Sequence, residues 1–312
     1  MQYISGLETY HDMGRSAVTL GKFDGLHKGH EKLISRVAEL SEEYGMKSVV
    51  CAFDMLPFFE HLSLKKQVLM TKEERRFRLN GRVDYLVDCP FTEKFSRIEA
   101  ENFIRDILVG IFHAAFVVVG ADFRFGHDKR GDIHMLAEYA EKYEYRLIVI
   151  EKERYEGREI SSTYVKEALR QGDMKLAREL LGYSYGVTGT VEPGKKLGRT
   201  LGFPTFNVAP APEKLLPPNG VYIDRVFVDG KWYNAIGNIG VKPTVSDSNR
   251  MLVESFLFGY EGNAYGKNVR VELQEFRRKE QKFSSVEEMK RCIDLDIEYG
   301  KKYFRDKRGS VK

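Results

Sequence analysis

A chain of 312 residues, 42% hydrophobic and 31% charged, exceeds one ordinary domain and has the apolar content to fill about two cores. Its formal charge of +4 and pI near 8.7 suit an anionic small ligand but fall short of the basic surface of a nucleic-acid binder, and no apolar run approaches the ~18 residues of a membrane span. Cys51, Cys89 and Cys292 are too scattered for a disulfide framework or a zinc site, and the opening MQYISGLETYHDMGR lacks the features of a signal peptide, so a cytoplasmic protein without nucleic-acid or membrane partners is expected.

The first clear element is SAVTLG, residues 16–21, a short apolar run of the kind found in buried strands. From His30 the apolar residues Leu33, Val37, Leu40 and Tyr44 recur at helical spacing, and SVVCAF (48–53) reads as a second strand. AFVVVG (115–120) and RLIVIEK (146–152) predict two more, with the helix candidate DIHMLAEYAEKY between them. Strands alternating with helices imply a parallel sheet covered on both faces, an α/β fold.

Between the first strand and its helix lies GKFDGLHKGH. In a parallel α/β sheet this is where ligands bind. Gly21, Gly25 and Gly29 permit tight turns and close approach, the helix N-terminus favours an anion, and His27 and His30 supply hydrogen-bond donors to phosphate oxygens. The pattern matches neither GxGxxG nor the P-loop, so a dinucleotide dehydrogenase or an ordinary P-loop ATPase is disfavoured. A glycine-rich turn with two surface histidines is the plainer alternative.

SSTYVKEALRQGDMKLARELLG reads as two short helices broken at Gly172. From Tyr183 to Arg277 helical periodicity all but disappears, and about six short alternating segments punctuated by glycine and proline predict an antiparallel barrel or sandwich. A final helix is expected over roughly 285–305, and the domain boundary near residue 183, giving modules 1–183 and 184–312.

The second module opens with GKKLGRTLGFPTFNVA. Gly194, Gly198 and Gly202, with Lys195, Lys196 and Arg199 among them, are suited to covering a phosphate, although glycines also turn barrel corners. In FPTFN, strand alternation puts Thr205 and Asn207 on one face, where a hydroxyl and an amide oxygen suit a hard Mg²⁺ ion; a surface Thr/Asn pair would look the same. Glu254 in MLVESFLFG shares a face with Phe256 and Phe258, a costly place for a carboxylate unless it is paired, used or able to reach water from an edge strand.

GKFDGLHKGH resembles the HxGH signature of the nucleotidyltransferases in the form carried by the bacterial bifunctional riboflavin kinase/FAD synthetases (FMN adenylyltransferases). VVVGADFRFGHDKRGDIHML, ISSTYVKEAL, GRTLGFPTFN, NIGVKPTV and AYGKNVRVEL are similar to further segments of that family, over nearly the whole chain. The resemblance implies a Rossmann-like nucleotidyltransferase domain followed by an antiparallel β-barrel riboflavin kinase domain with a C-terminal helix. It implies that the first module, with His27 and His30 as catalytic residues, joins AMP from ATP to FMN, giving FAD and pyrophosphate. Gly21, Phe23, Asp24, Gly25, Gly29, Ser162, Thr163 and Lys166 would then hold its nucleotide, and Asp122, Phe123, Arg124 and Phe125 would lie near the flavin.

In the second module the same resemblance implies riboflavin phosphorylation by ATP, with Glu254 as base. Gly194, Lys196, Gly198, Gly202, Thr205 and Asn207 would meet the nucleotide, and Thr205 and Asn207 the Mg²⁺. A monomer or weak homo-oligomer is expected. The chain departs from the pattern at Glu159, where the family has arginine, at Lys166, at Phe256 and Gly259, and in FDMLPFF (53–59), which lacks a histidine. A glutamate at 159 inverts the charge where the family places triphosphate, with Arg158 next to it. A riboflavin kinase with a repurposed first domain and a flavin-binding regulatory protein without turnover are the alternative readings.

Overall fold

The structure is a computed structural model, and it describes residues 1–193, 203–243 and 249–309. It divides into two compact units, Met1–Ser162 and Thr163–Lys312.

The first unit is built on six parallel strands, β1 (Gln2–Ser5), β2 (Ser16–Gly21), β3 (Lys47–Asp54), β4 (Tyr85–Pro90), β5 (Ala114–Gly120) and β6 (Arg146–Ile150), in the order β1-β4-β3-β2-β5-β6. Sequence patterning predicts β2, β3, β5 and β6. β1 and β4 escape it, because one has four residues and the other, YLVDCP, carries a charged residue in its middle. Helix α1 (Lys28–Tyr44) turns Leu33, Ile34, Val37 and Leu40 inward and ends at Gly45, whose φ of 65° is easy for glycine.

Short helices α2 (Leu56–His61), α3 (Lys72–Leu79), α4 (Glu93–Ser96) and α5 (Ala100–Asn102) follow, the last running into a π-helical stretch, Phe103–Val109, that adds Phe103, Ile104, Ile107 and Leu108 to the core. Helix α6 (Ile133–Ala140) connects β5 to β6, and a small hairpin, β7 (Arg154–Tyr155) and β8 (Arg158–Glu159), follows β6. The chain leaves β2 toward β3 on one side and β5 toward β6 on the other. The crevice between the carboxyl ends of β2 and β5 is therefore the switch point of the sheet, the place where such folds bind ligands.

Helix α7 (Ser162–Gln171) begins at the last residue of the first unit, and α8 (Met174–Leu181) follows. The second unit is a closed antiparallel barrel of β9 (Gly186–Glu192), β10 (Thr205–Val208), β11 (Gly220–Val228), β12 (Lys231–Pro243), β13 (Asn249–Leu257) and β14 (Asn268–Lys279), in the order β10-β13-β12-β11-β14-β9. Closure leaves no strand edge open. Val208, Tyr222, Val226, Ala235, Val253 and Val271 are buried in its interior. The C-terminal helix α9 (Val286–Gly309) lays Ile293, Ile297 and Phe304 on an apolar patch of the outer wall that includes Ile223, Ile236, Phe256 and Phe258.

A polar pair lies inside the barrel. Asp224 on β11 is fully buried, and its Oδ2 accepts the Ser255 hydroxyl at 2.5 Å, while Oδ1 has no partner among the described residues. Gly237 leaves the room for this carboxyl, since a Cβ there would strike Asp224 Oδ2. Burial pushes the Asp224 carboxyl up to about 8. Between about pH 4 and that value the folded chain keeps a proton that the unfolded chain has released, so stability from this group falls as pH rises, by up to about 1.4 kcal/mol per pH unit. The only tryptophan, Trp232, lies on β12 and reports barrel unfolding. Its urea midpoint is expected to fall between pH 5 and pH 8, and Asp224→Asn to flatten that fall; an equal slope in the variant would assign the effect to another group.

Candidate active sites

The first site is the turn from β2 into α1. Phe23 and Leu26 take φ of 45° and 41°, and Gly25 takes 90°. Left-handed backbone is easy for glycine but costs a phenylalanine or leucine about 1–2 kcal/mol each. Both side chains are fully buried, so packing holds them there. The Asp24 carboxylate accepts the backbone N–H groups of Leu69 and Met70 at 2.6 and 3.3 Å, and the Ser162 hydroxyl donates to the Asp24 carbonyl at 2.8 Å. Ser162, distant in sequence, is thus brought against the histidine loop.

His27 caps α1: its Nδ1 accepts the His30 amide through a long bond of 3.4 Å. An accepting Nδ1 leaves the proton of the neutral ring on Nε2, available to an incoming oxygen. The two imidazoles stack with centroids 3.7 Å apart, and the Phe23 ring tilts against His30 at 5.1 Å. Gly29 keeps this geometry open, because a Cβ there would press on the His27 ring at 3.3 Å. Burial holds His27 down at about 4, with Asp24 pulling the other way, and burial, His27 and Arg75 hold His30 well below the usual range. His30 Nδ1 is enclosed with no partner among the described residues. The pair is therefore a set of neutral donors with capacity in reserve, next to a helix N-terminus, as a polyphosphate requires.

Across the switch point, the loop after β5 carries Asp122, Phe123, Arg124 and Phe125. Phe123 and Phe125 stack at 5.6 Å, and Phe125 meets Phe103 at 5.1 Å. Phe95 joins Phe103 to Phe53 and Phe91, and Phe58 stands edge-on to Phe91. This aromatic row is drawn from strand ends and the helical segments between them; Phe103 and Phe125 belong to the buried core, while Phe53, Phe58, Phe91, Phe95 and Phe123 are only partly buried and give the row an apolar face. The sequence points to Phe123 and Phe125 alone; Phe53 and Phe58 lie in FDMLPFF, a segment with no periodic pattern that would mark its rings as a cluster.

Arg124 pairs with Asp132, the N-cap of α6, at 3.1 Å, closing its own loop next to the Phe125–Gly131 bridge. Lys152 bridges Asp122 at 3.0 Å and Glu159 at 2.8 Å, and Arg154 also meets Glu159 at 3.2 Å. The reversed charge at 159 is thus neutralised by two cations. Thr163 and Lys166 lie on α7, beyond Ser162, exposed and half-buried respectively.

The second site lies on the outer wall of the barrel. β10 pairs with β13 so that Asn207 faces Glu254 and Thr205 faces Phe256, and β12 places Asn238 on the other side of Glu254. Directly opposed residues share a face, so Thr205, Asn207, Glu254 and Asn238 gather on one outer surface. Asn207 is 5% exposed and its Oδ1 has no partner among the described residues. Phe203, Phe256 and Phe258 make edge-on contacts at 5.7 and 5.9 Å beside this row. Gly194, Lys196, Gly198 and Gly202 lie outside the described residues.

Two family models match the chain: FAD synthetase over residues 10–164 and riboflavin kinase over residues 181–304. The bifunctional riboflavin kinase/FMN adenylyltransferase of Buchnera aphidicola subsp. Acyrthosiphon pisum is 33% identical over 97% of this chain and 98% of its own length. The chain belongs to this bifunctional family. The Escherichia coli K12 protein of the same description is 34% identical, with 92% of each chain covered. A crystal structure described as a macrolide-efflux protein from Streptococcus pneumoniae superposes with a TM-score of 0.84 at 27% identity, over 96% of this chain and 98% of that one. No described helix of the present chain is long and apolar enough to cross a membrane.

In this family member the depressed basicity of His27 is directly measurable. Its imidazole is expected to remain neutral at pH 5.5 in the ligand-free protein and to titrate near pH 4, with ring signals assigned by their loss in His27→Gln. A titration near the ordinary histidine value would mean that the ring is not enclosed as described.

Proposed function

We propose that the first module, residues 1–183, adenylylates FMN, and that the second, residues 184–312, makes that FMN from riboflavin. The chain is a riboflavin kinase and an FMN adenylyltransferase by its two family domains and its relatives; the residue roles below are our reading of the geometry. The observation that carries it is a pair of separately built polar arrangements, each suited to phosphate: stacked neutral histidines at the switch point of a parallel sheet, and the Thr205–Asn207–Glu254 row on a barrel wall.

In the first module the triphosphate meets the α1 N-terminus and the two imidazoles, supported by Gly21, Phe23, Asp24, Gly25, Gly29, Ser162, Thr163 and Lys166. The isoalloxazine ring lies along the phenylalanine row, beside Asp122, Phe123, Arg124 and Phe125. An FMN phosphate oxygen attacks the α-phosphorus of ATP, the bond to the bridging oxygen breaks, and pyrophosphate leaves. The nucleophile arrives ionised, so no base is needed. His27 and His30 donate hydrogen bonds to oxygens whose charge grows in the transition state, and neutral donors release the product anion more readily than fixed cations would.

In the barrel, Glu254 takes the proton of the ribityl 5′-hydroxyl as that oxygen attacks the γ-phosphorus of ATP, and ADP leaves. Gly194, Lys196, Gly198 and Gly202 are assigned to the nucleotide. Among the described residues no cluster of His, Cys, Asp or Glu is placed to hold a metal, whereas the enclosed, unpartnered Oδ1 of Asn207 and the hydroxyl of Thr205 fit a hard Mg²⁺ ion that completes its shell with phosphate oxygens. When bound, Mg²⁺ supplies charge neutralisation on the phosphates. A cytoplasmic monomer or weak homo-oligomer is the form assigned to both steps.

Purified protein with riboflavin, ATP and Mg²⁺ is expected to form FMN and then FAD, separated by chromatography. Glu254→Gln is expected to lower FMN formation by about 10²–10⁴-fold while leaving FAD formation from supplied FMN intact, and His30→Ala to do the reverse. FMN that accumulates without FAD would leave a kinase joined to a repurposed nucleotide-binding domain.

A further inference from the structure

Beneath the histidine turn lies a buried ion pair that the reactions above do not use. Arg75 on α3 and Asp88 in the middle of β4 are 5% and 1% exposed, with an arginine nitrogen 2.8 Å from Asp88 Oδ1. The Tyr3 hydroxyl donates to Oδ2 of the same carboxylate at 2.8 Å, tying β1 to the pair. The other terminal nitrogen of Arg75 points at the Lys22 carbonyl, 3.4 Å away, at the point where the chain leaves β2 for its left-handed turn. Arg75 Nε is enclosed and has no partner among the described residues.

A buried ion pair contributes little net stability, because desolvation offsets the attraction, so stability alone is a weak reason for its presence. What this one does is mechanical and electrostatic. The guanidinium fork spans two elements: one arm is fixed on the sheet through Asp88, and the other reaches the backbone that enters Phe23, Asp24 and Gly25. The loop is otherwise gripped through the Asp24 carboxylate, which accepts from Leu69 and Met70 just ahead of α3, so α3 and the segment before it hold the turn at two points. The charged and titratable groups around His30 are His27, stacked on it, Asp24, which acts on His27, and Arg75.

We propose that Arg75, anchored on Asp88, is a positioning residue for adenylyl transfer: it fixes the Lys22–Leu26 turn and thereby the placement of His27 and His30 against the triphosphate. The proposal rests on the reading of this site as the adenylyl-transfer site.

The pair is tested by Arg75→Met/Asp88→Leu, which removes both charges at once and avoids leaving one buried and alone. The expected result is riboflavin phosphorylation within about twofold of the unmutated chain and FAD formation from supplied FMN slowed in kcat by about 10–100-fold, the scale set by misplacing a site by an ångström. The acid limb of FAD formation is also expected to move to higher pH, since a cation that disfavours protonation of His30 has gone, and to stay in place in Arg75→Lys, which keeps that cation; a shift of equal size in both variants would assign it to lost enclosure of His30 instead. Unchanged FAD formation would overturn the proposal. If both activities fall together, the variant has lost its fold, and Arg75→Lys decides instead. Lysine keeps the charge beside Asp88 but gives up the fork, so FAD formation is expected to slow at least about fivefold with the kinase intact, and a wild-type rate would overturn the proposal. FAD formation by the unmutated chain is measured alongside, so a failure of the underlying reading shows there, and a failure of the Arg75 assignment shows in the variants alone.

Discussion

The turn from Lys22 to Leu26 places backbone in a conformation that two of its residues resist, and it does so to aim two imidazoles that would not otherwise stack. Phe23 and Leu26 are left-handed and fully buried, and neither condition would persist without the other. Burying the side chains fixes the backbone, the backbone sets the His27 cap, and the cap sets the stacking with His30. Enclosure then removes the proton that an exposed histidine pair would carry in mildly acidic solution. Ordering a flexible loop around a ligand consumes binding energy; a turn already held by Asp24 and Ser162 avoids that cost for whatever binds there.

The barrel solves the same problem, holding ATP phosphates next to a nucleophile, without strain. The site proposed for it lies on the outer wall, and register does the positioning: antiparallel pairing sets Asn207 against Glu254 and Thr205 against Phe256, and a slip of one residue in either strand would turn that strand's pair inward. The polar pin of Asp224 and Ser255 sits one residue along from Glu254, on the opposite face. A closed sheet with such a polar contact inside has few alternative registers. Helix α9 thickens the wall by covering the apolar patch that includes Phe256.

Much of this was legible in the sequence, and the gaps have physical causes. Period-two and helical patterns reveal elements that are buried on a known face, which is why β2, α1 and the barrel strands could be read. β4 could not, because Asp88 breaks its apolar run; a buried charge in a strand makes sense only when its partner is known, and Arg75 lies on another element. Asp224 escaped for the same reason, since nothing in GVYIDRVFV reveals that Ser255 waits across the barrel. The histidines, Glu254, Thr205 and Asn207 can be proposed from sequence because their chemistry is local or alternates along a strand, and the structure brings His27 onto His30 and Asn207 opposite Glu254. The phenylalanine row was half visible, being contributed by segments that adjoin only after the sheet has formed.

Glu159 shows why a residue's charge is not the charge of its site. In sequence it inverts the sign of a position that the family gives to arginine, and at low effective dielectric an unpaired anion near triphosphate would oppose binding by several kcal/mol. In the folded unit it is partnered by Lys152 and Arg154, and Lys152 also touches Asp122 in the loop after β5. The local sum over these four side chains is zero, two cations against two carboxylates. All are substantially exposed, so each pair is weak and screened, and the cations remain able to turn toward a stronger anion. A triphosphate is such an anion. The reversal at 159 therefore moves the cation from the arginine's own position to side chains tethered beside it, which changes where positive charge rests before the nucleotide arrives without removing it from reach.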